Sequence, residues 1–171
     1  MRRKNKGFEW IAITLIVVLA VVYILTSMHV PKPSTTHDFG VGDATGDPNT
    51  YVLIPVNITN TRGPIAGIGF DIYYDNRVIN VTGIQAGALT PGWDFHDAYK
   101  NYPWGTSIAI SFGGPGTEIV DGSTGSVVKL NFSVIGNPGD TSYMDLGNVQ
   151  LSDPDGNLGT APTKNGTFTV T

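Results

Sequence analysis

Hydrophobic and polar residues alternate along most of this chain. In residues 51–59 the apolar side chains fall on every second position, and the same period of two returns in residues 65–74. Shorter runs of the same kind end at Phe112, Val134 and Val170. Because a period of two places one set of side chains on one face of a strand, the pattern predicts strands that each bury a single face.

One predicted strand changes phase partway along. Met144 and Leu146 share a face, but the next apolar residue, Val149, comes three positions later instead of two. An extra residue in one strand of a pair produces a β-bulge. We therefore predict a bulge at Gly147-Asn148.

Short segments rich in glycine, proline and aspartate separate the alternating runs. They are residues 45–48, 61–64, 113–116, 137–140 and 153–157. Segments of this composition form turns, and no amphipathic helix pattern lies between them. The spacing predicts about eight or nine strands in an all-β sandwich, with two sheets burying their apolar faces against each other.

The N-terminus has a different pattern. Residues 10–28 contain no charged side chain and are long enough to cross a bilayer core as a helix. Lysine and arginine are concentrated before this segment, so the positive-inside bias places residues 1–9 in the cytoplasm. We expect a single-pass protein of the cell membrane, in which the lipid bilayer surrounds residues 10–28. A proline- and threonine-rich linker, residues 29–37, would then lead to an extracellular domain at residues 38–171.

Two alternatives to a permanent anchor stay open. Lys6-Gly7-Phe8 before a long apolar run is similar to the cleavage site of pilin-like leaders, although Glu9 stands second after the cut instead of fifth. Thr26-Ser27-Met28-His29 is a weak match to the site where a secretory signal is removed. The segment is therefore interpreted as an anchor, with a pilin-like leader and a cleaved signal as the other hypotheses.

Charge and cysteine content limit the partners. The chain has 171 residues, with Lys+Arg 10, Asp+Glu 14 and a formal net charge of -4. The cations are concentrated at the N-terminus and nearly all the acids lie beyond His29, so the outer domain is acidic. Acidic domains lack the basic clusters that bind phosphate backbones, so we exclude nucleic acid as a partner. The absence of cysteine excludes disulfides and thiolate metal sites.

Candidate catalytic and metal-binding groups are few. His96 lies between Asp94 and Asp97 in a segment typical of a polar loop. Residues 153–157 lack the closing glutamate of an EF-hand loop and are interpreted as a turn. Glu118 and Asp121 lie in a glycine-rich loop, and no motif supports them as a carboxylate pair for glycoside hydrolysis. We predict a non-enzymatic protein with no catalytic residue, metal site or cofactor.

Aromatic residues cluster in one irregular stretch. They are Trp93, Tyr99, Tyr102 and Trp104. Aromatic rings on a β-sandwich can stack on sugars, and they can also cap the core. The cluster is therefore a candidate sugar-stacking site.

Four Asn-x-Ser/Thr sequons are candidate N-glycosylation sites. Their asparagines are Asn57, Asn80, Asn131 and Asn165. Within their predicted strands, Asn57 and Asn131 project away from the apolar face. A glycan on either would leave the core undisturbed.

An ordered set of segments resembles the cohesin family. The most specific part is the strand ending in Tyr74-Asp75 with Val78 and Val81 after it, within residues 65–87. The other segments are YVLIPVNIT at 51–59, LTPGWDFH at 89–96, GSVVKLNFSVIGNPGD at 125–140, LSDPDGN at 151–157 and NGTFTV at 165–170. The resemblance covers nearly all of residues 38–171. It implies a nine-stranded jelly-roll β-sandwich, related to some carbohydrate-binding modules, that grips dockerin modules of other proteins.

The resemblance also implies where a partner binds. Family members commonly carry polar residues on the outward side of the strand that matches residues 65–74. Here the corresponding positions and their neighbours on another strand are Gly67, Gly69, Asp71, Tyr73, Ser107, Ala109 and Ser111. Glycines cannot supply side-chain hydrogen bonds, so this face would be flat and suited either to close backbone approach or to plain solvation.

Three functional hypotheses follow. The leading one is a cell-surface cohesin-like module that docks a dockerin-bearing protein, with polysaccharide degradation as the setting. The second is a pilin-like filament subunit, in which the apolar helix packs against its own copies. The third is a carbohydrate-binding module whose ligand is a polysaccharide.

Overall fold

The computed structural model describes residues 35–36 and 38–171, and the regular structure in them is entirely β-strand. The strands are β1 Asp38–Val41, β2 Ala44–Gly46, β3 Tyr51–Thr59, β4 Gly67–Tyr73, β5 Ile79–Ala86, β6 Tyr99–Tyr102, β7 Gly105–Ser111, β8 Gly125–Val134, β9 Thr141–Ser152, β10 Leu158–Gly159, β11 Thr163–Lys164 and β12 Gly166–Val170. The predicted all-β class is confirmed. Strands β2, β10 and β11 are two or three residues long, and the nine longer strands agree with the number expected from the turn spacing.

The strands form two sheets. One has five strands in the order β11-β1-β3-β8-β5, and the other runs β2-β12-β9-β4-β7-β6 with β10 beside β9. Among the described strands, the β1–β11 and β2–β12 pairs are parallel and the others are antiparallel.

The core lies between the two sheets. The alternating residues of β3 and β4 are buried, as their period predicts. Phe39 of β1 and Phe70 of β4 meet edge to face with ring centroids 5.0 Å apart, and Tyr74 meets Phe132 of β8 in the same way at 5.5 Å. Each contact joins one sheet to the other, which confirms the sandwich. Because Phe132 is fully buried, its truncation to alanine would cost about 3–5 kcal/mol.

The predicted bulge in β9 is confirmed by the strand register. Gly69 pairs with Gln150 and Asp71 pairs with Gly147, so β9 advances three residues where β4 advances two. Asn148 has a φ of 50°, and the extra residue keeps Val149 inside the core. The bulge leaves the side chain of Asn148 exposed on the outer face.

Only a small part of the predicted N-terminal region lies within the described residues. Within the described residues, no helix has the length and apolar character needed to span a membrane. The predicted segments 1–9 and 10–28 lie outside the described residues. Of the predicted linker, Thr35 pairs with Arg62, while Thr36 is buried and accepts a hydrogen bond from the backbone amide of Thr59. Thr36 therefore contacts β3, and Thr35 contacts the loop that follows it.

Candidate functional site

The residues predicted for partner binding lie side by side on the outer surface of the larger sheet. Gly67, Gly69 and Asp71 of β4 pair with the predicted residues of β7, and Tyr73 completes the outward row. The pairs are Gly67 with Ser111, Gly69 with Ala109 and Asp71 with Ser107. The structure thus brings all seven residues together, and their role in binding stays a prediction. We call these residues, with Gln150 and Ser152 of β9, the docking face.

The glycines of β4 form the floor of a shallow depression. Its volume is about 200 Å³, and its border includes Ala109, Gln150 and Leu158. Leu158 is 66% exposed, which gives the depression an apolar edge. A Cβ built on Gly69 would come no closer than 3.9 Å to the carbonyl oxygen of Ile108, so space does not require glycine there. At Gly69 the bare backbone is therefore a property of the surface and not a packing necessity, whereas a Cβ on Gly67 would meet the side chain of Ser152.

The β9 side of this surface was missed by the sequence prediction. Gln150 lies opposite Gly69 and Ser152 lies opposite Gly67. Alternation within a strand shows which side chains share a face, but it does not show which strand lies alongside. Leu158 was missed for the same reason, since it reaches the depression through the pairing of β10 with β9.

A polar cluster lies on the docking face between the glycine depression and its Tyr73 end. The amide of Asn148 donates to Asp71 Oδ2 at 2.6 Å and to the Tyr73 hydroxyl at 3.3 Å, and the Tyr73 hydroxyl donates to Asp71 Oδ2 at 3.4 Å. Burial and the Asp71 carboxylate both raise the pKa of Tyr73, so its phenol stays protonated. The predicted bulge located Asn148, but no sequence signal showed that its side chain reaches Asp71.

Three aromatic rings form a row at one end of the docking face. Tyr73 and Tyr102 flank Gly105 on its two sides in the sheet. The Trp104 ring centroid lies 4.9 Å from Tyr73 and 5.0 Å from Tyr102, whose ring is parallel to it within 6°. Strands two places apart are separated by about 9–10 Å, so the indole lies between the two phenol rings. Lys100 Nζ lies 5.4 Å from the centroid of Tyr102. We call Tyr73, Trp104 and Tyr102 the aromatic row.

The fold divides the predicted sugar-stacking cluster into two residues that pack on the core and two that are exposed. Trp93 is buried and its indole nitrogen donates to the Thr117 carbonyl at 2.7 Å, so it caps the core and presents no open ring face. Tyr99 packs against the core, and its hydroxyl donates to the Thr82 carbonyl at 3.1 Å. The prediction that Trp93 stacks on a sugar is therefore wrong, because its ring is enclosed in the core. Stacking on Tyr102 and Trp104 stays a prediction, although Tyr102 already stacks on the Trp104 ring.

Three of the four sequon asparagines lie on the smaller sheet. Asn57 is exposed, whereas Asn80 accepts a hydrogen bond from the Tyr74 hydroxyl and Asn131 donates one to Thr82. Asn165 is exposed just before β12, and its side chain donates to Asp145 at 2.9 Å. Glycosylation at all four positions stays a prediction.

The carboxylates considered for catalysis or metal binding have structural contacts. Asp153 Oδ1 accepts the backbone amides of Asp155 and Asn157, and the Asn157 side chain, the largest influence, lowers the pKa of Asp153. Glu118 accepts the amide of Gly116, and Asp121 accepts that of Gly63. His96 and Asp97 form an exposed contact at 3.2 Å. In the part of the chain that the structure describes, no three metal-binding side chains converge.

Comparison with known proteins identifies the family. Residues 38–170 match the cohesin domain, and no curated protein matches the chain. A non-cellulosomal cohesin from the hyperthermophilic archaeon Archaeoglobus fulgidus is 22% identical with a TM-score of 0.62, over 82% of this chain and 92% of that one. The cohesin CaCohA2 of Clostridium acetobutylicum is 20% identical with a TM-score of 0.63, over 82% and 92%.

A third similar structure is a complex. It is the Coh-OlpC–Doc435 cohesin–dockerin complex of Clostridium thermocellum, with 18% identity and a TM-score of 0.63 over 83% of this chain and 98% of that one. These similarities support the sandwich fold, and the family match extends over most of the sequence. The chain belongs to the cohesin family.

Proposed function

We propose that this chain is a cell-surface cohesin that binds the dockerin module of another protein through the docking face. The observation that carries the proposal is the family match over residues 38–170. Two of the similar cohesins, CaCohA2 and Coh-OlpC, have structures in complex with dockerins. A dockerin is therefore the partner expected here.

The shape of the docking face supports this location. Gly67, Gly69 and Ala109 carry small side chains or none, so a partner's backbone can approach the sheet closely. The aromatic row and Leu158 provide apolar contact at opposite ends of this surface. Tyrosine and tryptophan are enriched among the residues that dominate binding energies at protein interfaces. The docking face thus combines a flat centre with apolar residues at its two ends.

Attachment to the cell surface is the second part of the proposal. Residues 10–28 would cross the membrane and the linker at residues 29–37 would hold the sandwich outside. The bound protein would then stay close to the membrane, as suits an enzyme that degrades polysaccharides. A similar cohesin is described as non-cellulosomal, so the partner class extends to other dockerin-bearing proteins.

The proposal is tested by capturing partners from the same cell. The full-length chain is immobilised, incubated with cell extract with and without calcium, and the bound proteins are identified by mass spectrometry. We expect a dockerin-bearing protein that is retained in calcium and released by chelation, because dockerin loops bind calcium. Recovery of no dockerin-bearing protein, from an extract that contains one, would contradict the proposal.

A further inference from the structure

A crevice opens where the aromatic row meets β9. Its volume is about 330 Å³. It is lined by four aromatic residues, of which Tyr73, Trp104 and Tyr143 are exposed, and by the carboxylates of Asp75 and Asp145. Tyr143 is 73% exposed, so its ring is available to a ligand. We call this depression the acidic crevice.

The charges around the acidic crevice do not balance. Asp145 accepts a hydrogen bond from the neutral amide of Asn165, and within the described residues no basic side chain forms an ion pair with it. Asp75 is paired with Arg77 at 2.7 Å. Two further cations belong to other elements: Lys100 lies at the Tyr102 end of the aromatic row, and Lys164, one residue before Asn165, lies on β11 opposite Gly40. The crevice therefore keeps an uncompensated negative charge next to exposed aromatic rings.

Aromatic rings and a carboxylate in one crevice suit a cation. The face of a tyrosine or tryptophan ring is electronegative and attracts a cation within about 6 Å of its centroid. A carboxylate adds a charge-assisted hydrogen bond, which a guanidinium can make with two parallel N–H groups. A neutral sugar could stack on the exposed ring of Tyr143, but it carries no charge to balance that of Asp145. The chemistry favours a cationic side chain.

We propose that the acidic crevice receives an arginine or lysine side chain of the docked partner, with Asp145 as its counter-charge. This inference rests on the proposed function, since it names a contact within the same interface. It adds a charged anchor at the aromatic end of a surface whose centre is flat. Its predicted contacts are the exposed ring face of Tyr143 and the Asp145 carboxylate.

The first test uses a small probe in place of the partner. N-acetyl-arginine amide is titrated into the ¹⁵N-labelled full-length chain, and N-acetyl-citrulline amide, which has the same shape without the charge, is the control. We expect the arginine probe to shift the resonances of Trp104, Tyr143 and Asp145, and the citrulline probe to leave them in place. Equal shifts from both probes, or no shift at these residues, would overturn the proposal. Stronger shifts from cellobiose would also overturn it, in favour of a sugar site.

The second test removes the counter-charge. Asp145→Asn keeps an oxygen that can accept from Asn165 but removes the negative charge. We expect the arginine probe to bind about threefold to fivefold more weakly, because the pair is solvent-exposed, and the difference to shrink in high salt. Asp155→Asn, at an exposed turn beyond β9, is the matched control and should bind as the native chain does. Unchanged binding by Asp145→Asn would contradict the role of this carboxylate.

The two proposals can fail separately. Capture of a dockerin-bearing protein by a chain that shows no charge-dependent probe binding would refute the crevice and leave the proposed function standing. Charge-dependent probe binding without capture of a dockerin would support the crevice as a cation site and count against the proposed function.

Discussion

The rings of Trp104 and Tyr102 are stacked, with centroids 5.0 Å apart and an interplanar angle of 6°. Tyr73 packs against Trp104 at 4.9 Å, so the three rings brace one another. Each of the three residues is little more than one third exposed. A rigid ridge of this kind loses little conformational entropy on binding, which suits a protein interface.

Replacing the central ring should weaken docking. We expect Trp104→Ala to reduce dockerin affinity at least tenfold, measured by titration calorimetry with the captured partner, because large aromatic residues dominate interface energies. Tyr51→Ala is the control, since Tyr51 is 67% exposed on the outer side of the smaller sheet. It should bind as the native chain does. Normal dockerin binding by Trp104→Ala, together with loss of a glycan-array signal, would favour a carbohydrate-binding module instead.

Much of the fold was predictable from the sequence because strand faces follow a local rule. The period of two in residues 65–74 predicts that four alternate residues share one outward row, and the strand register confirms this row. The four are Gly67, Gly69, Asp71 and Tyr73. The three-residue step after Leu146 located the β9 bulge for the same reason. Local spacing is sufficient wherever a property depends on one strand.

The site was less predictable because it depends on contacts between strands. Trp93, Tyr99, Tyr102 and Trp104 are close in sequence, but the fold encloses the first and brings the last beside Tyr73 instead. Their irregular stretch has no period that separates buried from exposed rings. The acidic crevice likewise joins residues of β4, β9 and the β6–β7 turn. Only the tertiary structure brings such residues together.

The buried hydroxyl of Tyr74 should stabilise the sandwich. It lies 2.7 Å from Thr106 Oγ1, donates to Asn80 Oδ1 at 3.1 Å and accepts the amide of Val81 at 3.3 Å. Tyr74→Phe would leave buried polar groups with fewer partners, so we expect the free energy of unfolding to fall by about 1–2 kcal/mol. Urea denaturation measures this change. The control is Tyr143→Phe at an exposed position, which should change the free energy of unfolding by less than about 0.5 kcal/mol. Equal losses of stability in the two variants would contradict a stabilising role for the Tyr74 hydroxyl.

Acid titration should reveal the Asp75–Arg77 pair. Hydrogen bonds from the Arg77 side chain and then from its backbone amide lower the pKa of Asp75 to about 2. A lowered pKa in the folded chain means that the pair stabilises it above roughly pH 4 and that this contribution is lost as the pH falls toward 2. The carboxyl carbon resonance of Asp75 should titrate in that lower range, and Arg77→Gln should raise its midpoint. A native midpoint near 4 would contradict the pairing.

The N-terminal segment should keep the chain in the membrane. We expect the native chain to sediment with membranes, to resist alkaline extraction and to retain Arg2 and Arg3 on N-terminal sequencing, because an apolar helix of this length partitions into lipid. Deletion of residues 10–28 should release the chain into the soluble fraction. A mature N-terminus at Phe8 would indicate a pilin-like subunit instead, and one beyond Met28 a secreted protein.

The most direct test of the account is dockerin binding by Gly69→Arg. The new side chain can leave the sheet without a clash, and it would fill the depression at the centre of the docking face. Gly83→Arg, on β5 of the other sheet and with no atom within 4 Å of its built Cβ, is the matched control. We predict that Gly69→Arg has the same midpoint of thermal unfolding as the native chain but binds the captured dockerin about a hundredfold more weakly. Gly83→Arg should bind it with native affinity. Native affinity in a folded Gly69→Arg chain would contradict docking through this face.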